Sequence, residues 1–213
     1  TNYPDLLDEF ATYRSPVAGG NSFSRLSTGA FPGWASSNVV ATTPGELAAV
    51  RPAISLIMVG TNDAVHLDHE LLRANLRQIV RMNLDRGVIP VLSTIPPNTT
   101  GTGGLQAWVN TANTVVVEVA DEFSVPVWNY WRAIVGLPGQ GVEDGVHPST
   151  HPLGGGYFGP GGLAFGYNVR NLTALQVLDK VRDVVFGSQP PDGYSVPDGR
   201  PWTPLAAGQR VVA

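Results

Sequence analysis

Two apolar runs, "ISLIMVG" at 54–60 and "VIPVLSTIPP" at 88–97, stand on either side of an amphipathic stretch. This alternation constrains the fold more than any other feature of the chain. A run rich in β-branched residues and stopped by Gly or Pro reads as a strand buried on both faces of a parallel sheet. Between the runs, Asp68 can cap a helix that extends to about Arg86, with Gly87 as its C-terminal stop. Leu72, Leu76, Ile79 and Val80 give that helix an apolar stripe at 3.6 spacing. "LQAWVNTANTVVVEVADEF" reads as a second long helix and "VPVWNYW" as a short strand. A loop from Gly136 to Gly162 follows, and a last helix runs from about Leu163 to Phe186, with Leu172, Leu175, Leu178 and Val181 among its inward candidates. Alternating strand and helix implies an α/β fold, a parallel sheet flanked by helices.

The N-terminal region is less regular. "NYPDLLDEFATY" predicts a short helix with Pro4 in its first turn, "RSPVAGGNSFSRLSTGAFPGWASSN" a Gly/Ser-rich loop, and "TPGELAAV" a short helix leading into the first apolar run. Residues 1–186 read as one domain, and the aperiodic, Pro/Gly-rich 187–213 as a tail or linker.

With 43% hydrophobic and 14% charged residues, the 213-residue chain has the composition of a globular domain. A net charge of −4 without a Lys/Arg cluster argues against nucleic acid or an anionic membrane as partner, and no apolar run approaches the ~20 residues of a membrane span. Cysteine is absent, which removes disulfides, thiolate metal sites and a Cys nucleophile. Thr1 reads as a processed, cleaved or simply unrecorded start. The Asn-x-Thr sequons at Asn98 and Asn171 are of a kind that occurs by chance.

Chemistry concentrates at two places. Ligands of parallel sheets bind beyond the carboxyl ends of the strands, and "VGTND" places Asn62 there. In "EDGVHPS", Asp144 and His147 lie three apart. A carboxylate that accepts from one imidazole nitrogen fixes the tautomer and leaves the other nitrogen free as a base for a hydroxyl. Alone, such a pair reads more simply as an Asp-capped turn with a surface His.

Taken in order, "NYPDLL", "GTND" after a strand, and "DGVHP" form a constellation that resembles the SGNH/GDSL hydrolase family of lipases and esterases, over about Tyr3 to Val185. The intervening "NLRQIV" and "GVIPVLSTIPP" resemble that family's helix and following strand. The resemblance implies a flavodoxin-like three-layer α/β/α sandwich and hydrolysis of carboxylic esters without a cofactor. It implies His147 as general base, Asp144 as its orienter, and Asn62 as a side-chain donor to the oxyanion. Gly33 best matches the residue that gives a backbone N–H to the same oxyanion, with Gly29 the alternative. It also implies an extracellular or cell-surface bacterial protein acting on a small-molecule or carbohydrate ester, short acyl or acetylated.

One element of the family pattern is missing. Its nucleophilic Ser lies in a Gly-Asp-Ser block that follows the first strand and precedes the "NYPDLL" match, and no Gly-Asp-Ser occurs here. Ser22, Ser24 and Ser27 read as loop and turn residues. A segment upstream of Thr1, or another chain, is therefore expected to complete the sheet and supply the Ser. The rival reading is a catalytically inactive binding or structural subunit of an extracellular assembly. A metal-dependent hydrolase using His66, His69 and Asp63 is a distant third, and His147 with His151 is a poorer ligand pair because Pro148 and Pro152 interrupt it. "GGGYFGPGG" lacks the Lys of a phosphate loop and reads as a flexible wall near the catalytic loop. Trp34, Trp108, Trp128, Trp131 and Trp202 are candidates for a groove or, more simply, for packing.

Overall fold

A computed structural model describes residues 26–101 and 103–186. The expected helix at 2–13, Ser22, Ser24 and the 187–213 segment with Trp202 lie outside the described residues. Within them, three strands form a parallel sheet in the order β1 (Ile54–Ile57), β2 (Ile89–Ser93), β3 (Val127–Trp128). Ile54 pairs with Ile89 and Ile57 with Leu92, and Leu92 in turn pairs with Val127. The helices are α1 (Ser36–Val50), α2 (His69–Leu84), α3 (Gly103–Phe123), α4 (Tyr130–Ile134) and α5 (Gly166–Phe186).

Strand period sorts the core into two layers. Leu92 packs with the stripe Leu72, Leu76, Ile79 and Val80 of α2 and with Val115, Val116 and Val119 of α3. The adjacent Val91 points the other way, onto Tyr130 and Ile134 of α4 and Val169 and Val181 of α5. Helices thus cover both faces, giving the α/β/α sandwich, with α1 set against α2. The α2 stripe is at most 1% exposed, and burying each such side chain stabilises by about 1.5–3 kcal/mol.

Asp68 caps α2 as expected, accepting from the Leu71 N–H at 2.9 Å. Several boundaries differ from the sequence reading. The first helix begins at Ser36, not at the "TPGELAAV" stretch, and carries Pro44 in its interior. Pro44 donates no N–H, but Thr42 and Thr43 hydroxyls bind the carbonyls of Asn38 and Val39 around it. β1 stops at Ile57, two residues short of Val59, because the chain already turns toward Gly60. "NYW" folds into α4, capped by Asn129 accepting from the Arg132 N–H at 3.1 Å. No helix among the described residues is long and apolar enough to cross a membrane.

Candidate active site

The end of β1 is shaped by Gly60, whose φ of +129° L side chains rarely adopt. The Trp108 indole N–H donates to the Gly60 carbonyl at 2.9 Å and fixes the turn. A single 3-10 turn, Asn62–Val65, follows and sends its first two side chains in opposite directions. Asp63 is buried, and its carboxylate accepts from the Ser36 N–H at 2.9 Å and from the Ser36 hydroxyl. An acid at the first turn of a helix is favoured by the partial positive charge of the free N–H groups there. Asn75 of α2 completes the set, its amide donating to the Ser36 hydroxyl at 2.8 Å.

Asn62 instead faces outward and donates from Nδ2 to the Trp34 carbonyl at 2.9 Å. Its amide therefore lies against the Gly33–Trp34 backbone. Gly33 has a φ of +81° and open space on its Cβ side. Gly29 differs: its N–H already donates to the Ser27 hydroxyl at 3.0 Å, whereas no acceptor for the Gly33 N–H is found among the described residues.

The second half of the site is a loop stapled at its base by an isolated antiparallel bridge between Val142 and Pro148. The Glu143 N–H donates to the His147 carbonyl at 2.9 Å, and Thr99 N–H ties the loop to its neighbour through the Gly145 carbonyl at 2.8 Å. Asp144 sits at the loop's centre. Its Oδ1 accepts the N–H groups of His147 at 2.7 Å and Val146 at 3.0 Å, and its Oδ2 lies 2.7 Å from His147 Nδ1. The His147 backbone N–H, then the His147 ring, then the Val146 N–H hold the Asp144 carboxyl well below the usual carboxylate range. With Nδ1–H given to Asp144, the Nε2 lone pair of His147 is left free.

Asn62, Gly33 and His147 line one cavity of about 810 Å³, which extends along β1 and is bounded elsewhere by Trp34, Tyr167 and Arg170. Ser27 also lines it, but its hydroxyl donates to Glu46 at 2.9 Å, and among the described residues Asp144 is the partner of the His147 ring. A hydroxyl brought to His147 Nε2 would find a base there.

The remaining candidates fall elsewhere. His69 stacks on Trp108 with ring centroids 4.1 Å apart, and Asp63 is committed to Ser36. Among the described residues no three His, Cys, Asp or Glu side chains gather as a metal set. The "GGGYFGPGG" segment does not wall the cavity, which corrects the sequence reading. Asn168, fully buried, clamps it by donating to the carbonyls of Gly154 at 2.9 Å and Tyr157 at 2.7 Å, and Tyr157 stacks on His151. Trp108 and Trp128 are core residues, and Trp131 is partly buried. The tie between Ser36, Asp63 and Asn75 was missed, because nothing in the spacing of residues 27 and 39 apart marks it.

A family model described as GDSL-like Lipase/Acylhydrolase matches residues 4–157. No curated protein matches the chain. Among solved structures, the chain is similar to a GDSL-like lipase from Bacteroides thetaiotaomicron at 19% identity and a TM-score of 0.57, covering 70% of this chain and 73% of that one. A lipase/acylhydrolase from Enterococcus faecalis is 20% identical with a TM-score of 0.53, covering 70% and 71%. An acetylxylan esterase from Geobacillus stearothermophilus is 19% identical with a TM-score of 0.54, covering 68% and 67%. At these identities the structures establish the fold, an α/β sandwich of this type.

Proposed function

The chain belongs to the GDSL-like lipase/acylhydrolase family, and on that premise we propose that it hydrolyses carboxylic esters through an acyl-enzyme, with His147 as base, Asp144 as its orienter, and a Ser supplied upstream of Thr1. His147 Nε2 takes the Ser proton as the Ser oxygen adds to the ester carbonyl. The tetrahedral intermediate then expels the alcohol, which leaves with the proton carried by His147. Water, activated by the same nitrogen, attacks the acyl-enzyme, and the acid departs as the Ser regains its proton.

Negative charge develops on the former carbonyl oxygen in both steps. The Asn62 amide and the Gly33 N–H are the donors for it, and a preset donor of this kind contributes about 3 kcal/mol. Substrates in this reading are short acyl esters or acetylated carbohydrates. The openness of a site whose His147 side chain is 68% exposed supports small esters. The acetylxylan esterase among the fold neighbours is consistent with the carbohydrate form.

The observation that carries the reading is the 2.7 Å Asp144–His147 contact on the wall of the cavity that Asn62 also lines. A fluorophosphonate probe applied to the full-length natural polypeptide tests it. Labelling of a Ser upstream of Thr1 is expected, and His147→Ala, folded by circular dichroism, should lose both labelling and turnover. A folded protein that takes no label is the inactive binding or structural subunit instead. Unchanged turnover in His147→Ala would mean that the base lies elsewhere.

A further inference from the structure

The cavity that holds His147, Asn62 and Gly33 carries one fixed positive charge among the described residues, the guanidinium of Arg170. Arg170 lies one turn into α5, and the start of that helix is moored to the chain just after the base. The Tyr167 N–H donates to the Ser149 carbonyl at 2.9 Å and the Gly166 N–H to the Ser149 hydroxyl at 3.0 Å. A Cβ added at Gly166 would stand 3.1 Å from Pro148 Cβ. Arg170 is therefore on the His147 side of the cavity. Its guanidinium carbon lies 5.8 Å from the centre of the Tyr167 ring, within cation–π range, so the ring supports the charge from one side.

The usual reasons for an arginine on a helix are missing here. Ion pairs on a helix form between residues three or four apart, and those positions hold Gly166, Tyr167, Thr173 and Ala174. A cation gains from the helix dipole at the C-terminal end, whereas Arg170 is near the N-terminal end of Gly166–Phe186. Among the described residues the guanidinium has neither a carboxylate partner nor a hydrogen bond, although Arg170 is half-buried. A charge drawn partly out of water is costly unless it is paired. The groups that could oppose it are engaged elsewhere. The Tyr130 hydroxyl donates to the Gly166 carbonyl at 3.1 Å, and burial raises its pKa, so it stays neutral. Glu46, the carboxylate that lines the cavity, accepts from the Ser27 hydroxyl at 2.9 Å and the Thr28 N–H at 3.0 Å.

Resting on the function proposed above, we infer that Arg170 is a specificity-determining residue that binds a carboxylate on the alcohol half of the ester, which makes acetylated acidic sugars, the uronates, the substrate class. The alcohol leaves with the proton carried by His147 Nε2, so the alcohol half lies toward the base, and Arg170 stands on that side. One guanidinium matches one carboxylate, which it grips through two parallel N–H···O bonds. A phosphate monoester carries about −1.5 to −2 charges and would leave part of that charge unpaired.

The test measures how two monoacetylated methyl glycosides bind the 213-residue chain, a glucuronoside and the matching glucoside, which differ only by carboxylate against hydroxymethyl. The glucuronoside should bind about tenfold more tightly or better, the gain a charge-assisted hydrogen bond supplies, and added salt should shrink that ratio. Arg170→Gln, folded by circular dichroism, should bring the ratio to unity. Arg170→Lys keeps the charge without the planar fork and should fall between, and it serves as the test should the Gln variant misfold. Methyl hydrogen succinate, with its carboxylate on the acyl half, should gain nothing over methyl butyrate. A gain there that Arg170→Gln removes would put the anion on the acyl half and overturn the assignment. Turnover of 4-nitrophenyl acetate by the full-length natural polypeptide separates this proposal from the esterase reading. A glucuronoside preference that depends on Arg170, without turnover, keeps the carboxylate site and removes the esterase reading. Turnover with a ratio of unity, a preference that survives in Arg170→Gln, or binding of neither glycoside by the folded chain overturns the carboxylate site.

Discussion

Gly145 lies between Asp144 and His147 in a conformation that an L residue rarely adopts, and replacing it with Ala separates two costs. Its φ of +91° lies where an L residue is strained, at about 1–2 kcal/mol. An added Cβ would also meet Thr100 Cγ2 at 2.8 Å and the Thr100 backbone N at 3.2 Å. The 2.8 Å bond from the Thr99 N–H to the Gly145 carbonyl prevents the loop from backing away. Crowding of this kind adds about 1–3 kcal/mol, so Gly145→Ala should destabilise by about 2–5 kcal/mol. Gly87 is the control: its φ is +71°, with nothing within 4 Å of the added Cβ. Gly87→Ala should therefore show the conformational cost alone, about 1–2 kcal/mol. Urea unfolding followed by circular dichroism measures both, and with a slope of about 1–3 kcal/mol per molar the Gly145 variant should unfold at a midpoint lower by about 0.7 M or more. Thr100→Ser removes the offending methyl, so the double variant should be less destabilised than the two single effects summed. Equal losses for Gly145→Ala and Gly87→Ala, with no recovery from Thr100→Ser, would refute the steric argument.

Two further expectations concern charge and core. Asp144 is ionised by preference in the folded loop, so its contribution to loop stability is fully present above the ordinary 3.8 and is lost as the pH falls from there through its lowered folded value. An NMR titration of its carboxyl carbon should give a midpoint below the ordinary 3.8, and a midpoint at or above 3.8 would remove the three-donor account. In α2, Leu72 is fully buried while its neighbour Leu71 is 41% exposed. Leu72→Ala should cost about 2–5 kcal/mol and Leu71→Ala less than about 0.5 kcal/mol by denaturant unfolding. Similar losses at both positions would show that the apolar stripe is wrongly assigned.

The sandwich was legible because its signals are local. Leu72, Leu76, Ile79 and Val80 announce a helix face, and Gly60 and Pro96 punctuate the strands they follow. What was not legible depended on groups distant in the chain. Pro44 reads as a helix start by its own preference, yet α1 begins at Ser36, where Asp63 accepts its first N–H from 27 residues away. The Gly-rich segment reads as loose, yet Asn168 binds two of its carbonyls from α5. In both cases a buried side chain supplies hydrogen bonds that local propensity does not register. The Asp144–His147 pair was readable for the opposite reason, since all of its partners lie within three residues.

The two halves of the site are built on different supports, and this bears on how they would work together. Asn62 and the Gly33–Trp34 backbone are joined directly by the Nδ2–carbonyl bond, and the same turn is anchored a second time through Asp63 and Ser36. Asn75 extends that anchor to α2, so the two proposed oxyanion donors ride on the rigid α1–α2 layer. The His147 loop is held instead by its own bridge and by Thr99. None of the bonds holding Asn62 passes through the His147 loop, so the donors and the base can each be fixed before any nucleophile arrives. Electrostatic stabilisation needs donors that do not reorganise during reaction, and an acid buried at a helix start meets that need at Asn62. A nucleophile would then have one remaining geometric task, to bring a hydroxyl between two supports that already stand in place.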